Sequence, residues 1–264
     1  MNSPLSAQRI AALVRPDSPK VKIEVVPETG STNADLLARL ASLSAATLLL
    51  AEAQTSGRGR AGSTWLSASG DSLTFSLAWK FNLPVHALLG LSLAVGVTIA
   101  QSLDRFGVET ELKWPNDILK SGNKLCGVLI ETASADDKIG DEVWAVIGIG
   151  LNLAIPVGME AAIGHPVAAL DNKQLDREAL MATLLSDLAE ALAEFQAQGF
   201  KAFMTRWNAL HAYKGQAVLI LDRERVLHEG LALGVDQIGR LMLDTPNGQV
   251  AVMAGDVSLR AAAK

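Results

Sequence analysis

The chain has 264 residues, about 1.8 times a domain scale of roughly 150, so one large domain with a small companion, or a single large domain, is expected. With 49% hydrophobic and 19% charged residues it is too apolar for a disordered chain and has ample material for a buried core. A net charge of −5 gives it no overall basic footprint for nucleic acid, and its single cysteine, Cys126, excludes an intrachain disulfide and a thiolate metal cluster and fits a reducing compartment.

The first residues carry an apolar run of only five, Ile10 to Val14, too short for a signal-peptide core. Val21–Val26 reads as a strand ended by Pro27. Thr29-Gly30-Ser31-Thr32-Asn33 is a turn offering a helix cap to the helically spaced ADLLARLA. Thr47–Ala53 reads as a buried strand, followed by the glycine-rich loop QTSGRGRAGSTW. Leu73–Trp79 is a further strand. The apolar run Ala87 to Ala100 is short of the ~18 residues of a membrane span, and is read as a core helix of a cytoplasmic protein. After Glu111–Trp114 and a Pro115-Asn116-Asp117 corner come two strand-like runs, Lys124–Thr132 and Val143–Ile149. A helical stretch from Arg177 to about Leu210 breaks near Gly199. Beyond Tyr213 short strands alternate with polar or glycine turns, the pattern of a small all-β barrel or sandwich of about 50 residues.

Several familiar motifs fail. Gly57 to Thr64 has P-loop glycine spacing but Ser63 where the phosphate lysine belongs. Gly148-Ile149-Gly150 lacks the third glycine of a dinucleotide fingerprint. His86, His165, His211 and His228 show no metal-type spacing, which favours surface or core roles. Other features are chemically suggestive. Arg58 and Arg60, set between glycines, suit an anion site as well as a solvated loop. Asn116 and Asp117 at a rigid corner fit either an Mg²⁺-phosphate site or a simple Asx turn. Lys124 opens an otherwise apolar strand and needs a charged partner, either Asp117, a surface Glu or a ligand phosphate. Gly127 allows close backbone approach or marks a bulge, and Asn152 falls just past a strand end, where open sheets place ligand groups.

Taken in order, Gly30-Ser31-Thr32-Asn33, Gln54 with Gly57-Arg58-Gly59-Arg60, Trp65, Lys113-Trp114-Pro115-Asn116-Asp117, Lys124-Leu125-Cys126-Gly127 and Gly148-Ile149-Gly150-Leu151-Asn152 resemble the biotin protein ligase family. Gly255-Asp256-Val257-Ser258-Leu259-Arg260 looks like that family's small β-domain, so the resemblance covers about residues 21 to 260. It implies an α+β fold: a mixed sheet with flanking helices, of the class II synthetase and biotin ligase type, plus an SH3-like barrel. The expected division is an extension at 1–20, a catalytic domain at 21–212 and the barrel at 213–264. The implied activity is ATP-dependent and has two steps: biotinyl-5′-AMP forms from biotin and MgATP, and biotin then passes to a lysine of an acceptor. That acceptor is the biotin carboxyl carrier domain of acetyl-CoA carboxylase or a related biotin enzyme.

By the same resemblance Arg58, Arg60 and Lys124 are catalytic. Ser31, Thr32, Asn33, Gln54, Gly57, Gly59 and Gly127 join them around biotin. Trp65, Asn116, Asp117, Asn152 and Arg260 lie with Arg58 and Lys124 on the nucleotide side, and Asp117 is the Mg²⁺ candidate. The loop at 54–66 is expected to order over the adenylate and exclude water. Two departures stand out. Only about 20 residues precede the first core strand, too few for a helix-turn-helix, so an enzyme that does not bind DNA is expected. The segment from Gly158 to Asp171 has no Phe, Trp or Tyr to stack on adenine. A homodimer through sheet edges is an expectation. A lipoate–protein ligase or related acyltransferase, and a non-catalytic biotin-dependent binding protein, are the alternatives.

Overall fold

The computed structural model describes residues 4–134, 142–172, 174–223, 225–255 and 257–262. Asp256, one of the residues of the carboxy-terminal motif, lies outside them. Among the described residues seven strands form the larger sheet: β1 (Lys22–Thr29), β2 (Thr47–Gln54), β3 (Ser72–Phe81), β4 (Glu111–Lys113), β5 (Asp117–Lys120), β6 (Asn123–Ser134) and β7 (Val143–Asn152). Their order is β1-β2-β3-β7-β6-β5-β4, with β1 and β2 parallel and every other pair antiparallel.

One face of this sheet is covered by α3 (Leu91–Asp104) and α5 (Arg177–Gln198). Leu50, Phe75, Leu77, Ile147 and Ile149 meet Leu93, Val97, Leu184 and Leu188 there in a single apolar cluster. Each such side chain, fully buried, contributes roughly 1.5–3 kcal/mol. The apolar stretch Val85–Asp104 is as long and apolar as a membrane span, but most of it is buried inside the protein against these neighbours. Asp176 caps α5, its carboxylate accepting from the Glu178 and Ala179 amides at 2.9 and 3.1 Å, and Gly199 ends the helix at a φ of +64°.

The first residues also pack on this layer. In α1 (Ala7–Leu13) Ile10 is fully buried, and beyond it the Arg15 guanidinium pairs with Asp187 and Glu190 of α5, both at 2.7 Å. On the opposite face α2 (Thr32–Ala38) sets Leu36 against Leu49, Ala78, Trp144 and Val146.

The carboxy-terminal strands are β8 (Ala217–Asp222), β9 (Arg225–Val235), β10 (Leu241–Thr245), β11 (Gly248–Val252) and β12 (Val257–Ala261). They form an antiparallel sheet in the order β11-β10-β9-β8-β12. Register shifts at Ile220/Leu221 and Met242/Leu243 curl it, but among the described residues no ladder joins β11 to β12, so the expected barrel is an open, SH3-like sheet. Closure is unnecessary because its concave side is filled from outside. Val218, Ile220, Leu241, Leu243 and Leu259 share one apolar cluster with Trp114, Trp207 and α3. The Asn208 side chain binds both the N–H and C=O of Val235, and Trp114 Nε1 donates to Gly239 O at 3.2 Å. A short helix α6 (Met204–Ala209) leads into this joint.

His211 sits at the same joint, stacked on Trp207 at 4.7 Å, with neither ring nitrogen bonded among the described residues. Burial, with a smaller push from Lys214, lowers its pKa to about 4. An unfolded histidine takes up a proton near pH 6.5, whereas the folded one refuses it until about pH 4. Stability is therefore complete above pH 6.5 and is lost as pH falls toward 4, by up to about 3 kcal/mol. Thermal melts of the wild type and His211→Phe across this window are expected to show a shallower acid decline in the variant; parallel curves would contradict the assignment.

Candidate active site

The face that carries α2 changes character along β7. Trp144 and Val146 fill the space beneath Leu36, but the next two positions on that face are Gly148 and Gly150. Across the ladder Gly150 pairs with Gly127, and Gly148 with Leu129 and Ser76. Where side chains are missing a cleft opens, with Asn33, Gln54, Trp65 and Lys124 among its walls.

Polar groups converge on it. Ser31 caps α2 and is buried with Thr32 and Asn33. The Thr32 amide donates to Gln54 Oε1 at 2.8 Å, which fixes the Gln54 side chain at the end of β2. The Thr32 and Ser76 hydroxyls are 2.6 Å apart, and Ser76 donates to Asn33 Oδ1 at 2.5 Å. Asn33 lies over Gly148, whose missing Cβ would collide with its amide.

The loop between β2 and β3 folds back as a short hairpin over the cleft. Gly59 N donates to Ser63 O at 2.7 Å and Trp65 N to Gly57 O at 2.9 Å. A Cβ on Gly57 would meet Trp65 O, and one on Gly59 would meet Ser63 Oγ, so these glycines make room for the hairpin's own return strand. Arg58 and Arg60 both line the cleft. The Arg58 guanidinium pairs with Glu131 at 2.9 Å. Arg60 donates to Asn116 Oδ1 at 3.1 Å and to the backbone carbonyls of Gly255 and Val257, tying the hairpin to the smaller sheet.

Lys124 closes the ring. Its Nζ lies 2.6 Å from Asp117 Oδ1 and 5.8 Å from the centre of the Trp65 ring. A Cβ on Gly127 would come within 3.1 Å of that nitrogen, so the bare backbone there is what lets the lysine fold across its own strand. Of the partners expected for it Lys124 has Asp117, and it also lines the cleft. The Trp65 indole rests over Gly150, its Nε1 buried with no hydrogen-bond partner among the described residues.

A second chamber adjoins the first. Arg60, Asn116, Asp117 and Lys124 line both, and Lys113, His165, Tyr213 and Arg260 line the second alone. Burial, then the Arg260 and Lys124 charges, push the Lys113 ammonium below its ordinary range, with Asp117 opposing them. This gathering of cations against one carboxylate, in a chain of net charge −5, is a place for a polyanion. The Asp117 carboxylate is engaged by Lys124, and among the described residues no three His, Cys, Asp or Glu side chains gather around a common point. That donor set does not fit a metal ion held by the protein alone.

Asn152 lines neither chamber. Its buried side chain donates to Ala168 O at 3.0 Å, and Lys120 Nζ donates to Ala169 O at 2.7 Å, so both hold the 166–170 segment in place. Cys126 is buried facing the core, which raises its thiol pKa and keeps it protonated. Residues not singled out from the sequence include Ser76 and Glu131, and Lys113 belongs to a sequence motif that gives it no role of its own. The alternation of Gly148 and Gly150 with isoleucines signals a strand with one bare face, which points to the cleft floor.

Fold and site together present a cationic, two-chambered cleft suited to anionic small molecules. Residues 23–152 match the Biotin/lipoate A/B protein ligase family and residues 214–260 the Biotin protein ligase C terminal domain. The bifunctional ligase/repressor BirA of Escherichia coli is 33% identical over 92% of this chain and 75% of its own length. The biotin–[acetyl-CoA-carboxylase] ligase of Mycobacterium tuberculosis is 33% identical over 89% of this chain and 88% of its own. A solved structure of biotin protein ligase from Aquifex aeolicus in complex with biotin and ATP superposes with a TM-score of 0.76 at 29% identity, covering 91% of this chain and 99% of that one. This chain belongs to the biotin protein ligase family.

The bare floor has a measurable consequence. A methyl group at Gly148 must displace Asn33 and with it the Ser76 bond, so Gly148→Ala is expected to weaken biotin binding about tenfold or more. Isothermal titration with biotin reads the loss, and wild-type affinity in the variant would contradict the geometry.

Proposed function

We propose that the cleft takes biotin in the first chamber and the polyphosphate of MgATP in the second, with Arg60 and Lys124 at their meeting point and Arg58 on the biotin side. The protein is an ATP-dependent biotin–protein ligase acting on carboxylase carrier domains. In the first step a biotin carboxylate oxygen attacks the α-phosphorus of ATP; a phosphorus–oxygen bond forms and pyrophosphate leaves. In the second an acceptor lysine amine attacks the acyl carbon of the adenylate; the amide forms, AMP leaves and the amine proton passes to solvent. The observation that carries the reading is the convergence of the two hairpin arginines and Lys124 on one cavity.

The physical demand of the first step is that two anions must touch. Fixed guanidinium and ammonium groups offset that repulsion, and they gain most where water is excluded and the donors are already oriented. Asp117 holds Lys124 at 2.6 Å, Asn116 holds Arg60 at 3.1 Å, and Glu131 holds Arg58 at 2.9 Å, so none has to be ordered when the ligands arrive. Ser31, Thr32, Asn33 and Gln54 suit the ureido head of biotin, since hydroxyls and amides match its N–H and C=O groups. Mg²⁺ enters with the nucleotide as part of the substrate. The acceptor is the biotin carboxyl carrier domain of acetyl-CoA carboxylase or a related biotin enzyme, and the reaction is cytoplasmic.

Lys124→Ala removes one of the two cations shared by both chambers, with Arg60 the other, and takes from Asp117 its partner beside an incoming polyphosphate. Biotin-dependent exchange of pyrophosphate into ATP is expected to fall by about a hundredfold or more, the scale of losing one oriented donor at a charge-developing centre. Exchange near the wild-type rate would remove Lys124 from this role. In wild-type protein, labelled biotin with MgATP and a purified carrier domain is expected to yield covalently labelled carrier. Labelled lipoate in its place separates a lipoate ligase, and the absence of any exchange separates a mere binder.

A further inference from the structure

Glu131 lies on β6 beyond Leu129, on the face that carries Gly127. Its Oε2 accepts from Asn33 Nδ2 at 2.9 Å and from an Arg58 guanidinium nitrogen at 2.9 Å. On the other side Asn33 Oδ1 takes the Ser76 hydroxyl at 2.5 Å, and Ser76 in turn lies 2.6 Å from the Thr32 hydroxyl. These contacts form one row: Thr32, Ser76, Asn33, Glu131, Arg58.

The members of this row differ in freedom. A hydroxyl donates or accepts by rotating, and an amide presents either end after a flip, whereas an ionised carboxylate only accepts. Asn33 Nδ2 also donates to Leu129 O at 3.4 Å, and were Asn33 reversed its oxygen would face that carbonyl and, more closely, the Glu131 carboxylate. Glu131, the nearer and charged acceptor, with Leu129 O behind it, therefore turns Nδ2 toward β6 and Oδ1 toward Ser76. Ser76 must then spend its proton on Asn33, so it accepts from Thr32 across the 2.6 Å contact. The Thr32 proton then goes to the nearer Ser76 oxygen rather than to Gln54 Oε1 at 3.2 Å, and Thr32 lines the cleft as an acceptor. Arg58 is 43% exposed, and an ion pair that open adds little to fold stability. What the pair does is hold one edge of the guanidinium fork, leaving the other edge for a ligand anion.

We propose that Glu131 is a positioning and specificity residue: its carboxylate sets the donor–acceptor polarity of the Thr32–Ser76–Asn33 row and fixes the direction of Arg58. This rests on the assignment of the row to biotin. The ligand it selects carries N–H donors opposite Thr32, as a cyclic urea does, and an anionic group within reach of Arg58.

The experiment compares wild type, Glu131→Gln and Glu131→Ala in biotin-dependent pyrophosphate exchange, with biotin and with an analogue whose ureido oxygen is replaced by an imino nitrogen. Glu131→Ala is expected to raise KM for biotin about tenfold while KM for MgATP stays within about twofold, the cost of one charge-assisted hydrogen bond at the biotin end alone. Glutamine keeps an acceptor but leaves only the longer Leu129 O contact against the reversed row, so Glu131→Gln is expected to fall between, with a reduced preference for biotin over the imino analogue. Because Gln conserves size and hydrogen bonding, it gives a reading even if the alanine variant folds poorly. The inference is overturned if KM for biotin is unchanged in Glu131→Ala, if both KM values rise together, or if the analogue preference is the same in all forms. Absence of exchange in the wild type would instead overturn the ligase reading itself.

Discussion

The ammonium of Lys124 is the point on which the rest of the site depends. A cation at the start of an apolar strand cannot be left unpaired without a large cost. Asp117 on the adjacent strand supplies the opposite charge at 2.6 Å, the Trp65 ring covers one side, and Gly127 leaves the room the stem needs to fold back. Arranged this way the charge is held but not consumed, because it still faces the cavity. A lysine fully satisfied by protein would be inert, and one fully exposed would be solvated and undirected.

The sheet divides stability from chemistry by its two faces. Along β7 the residues Val143, Ala145, Ile147, Ile149 and Leu151 point into the large core with α3 and α5, and that layer holds the fold. The opposite face begins filled, with Trp144 and Val146 under α2, and ends empty at Gly148 and Gly150. The cleft is therefore an interruption in packing on a strand whose other side is continuous core. Such a floor does not deform when the upper surface is vacant, which suits a site whose donors must be oriented in advance.

The smaller sheet belongs to the site as well as to the fold. Arg60 reaches from the hairpin to the backbone at Gly255 and Val257, and Ser258 and Arg260 on β12 wall the second chamber. Its open edge and its shared apolar cluster with Trp114 and α3 have one cause. A sheet that borrows its core from a neighbour has no need to close on itself, and so it stays attached where its edge strand can contribute charge.

Much of this was legible from the order of residues along the chain. Strand and helix periodicities, the cap at Ser31, the break at Gly199 and the change of character past Tyr213 are local properties, set by neighbours a few positions away. The cationic loop and the asparagine–aspartate corner were visible for the same reason. The tertiary fold decided what those groups face. Gly57 and Gly59 serve their own hairpin, Asn152 ties down the 166–170 segment, and Glu131, ordinary in the sequence, joins Asn33 to Arg58 across 98 and 73 positions. Short-range pattern reports backbone preference and burial, whereas the partner of a polar side chain is set by strand register and by which face is bare, and both exist only once distant segments have paired.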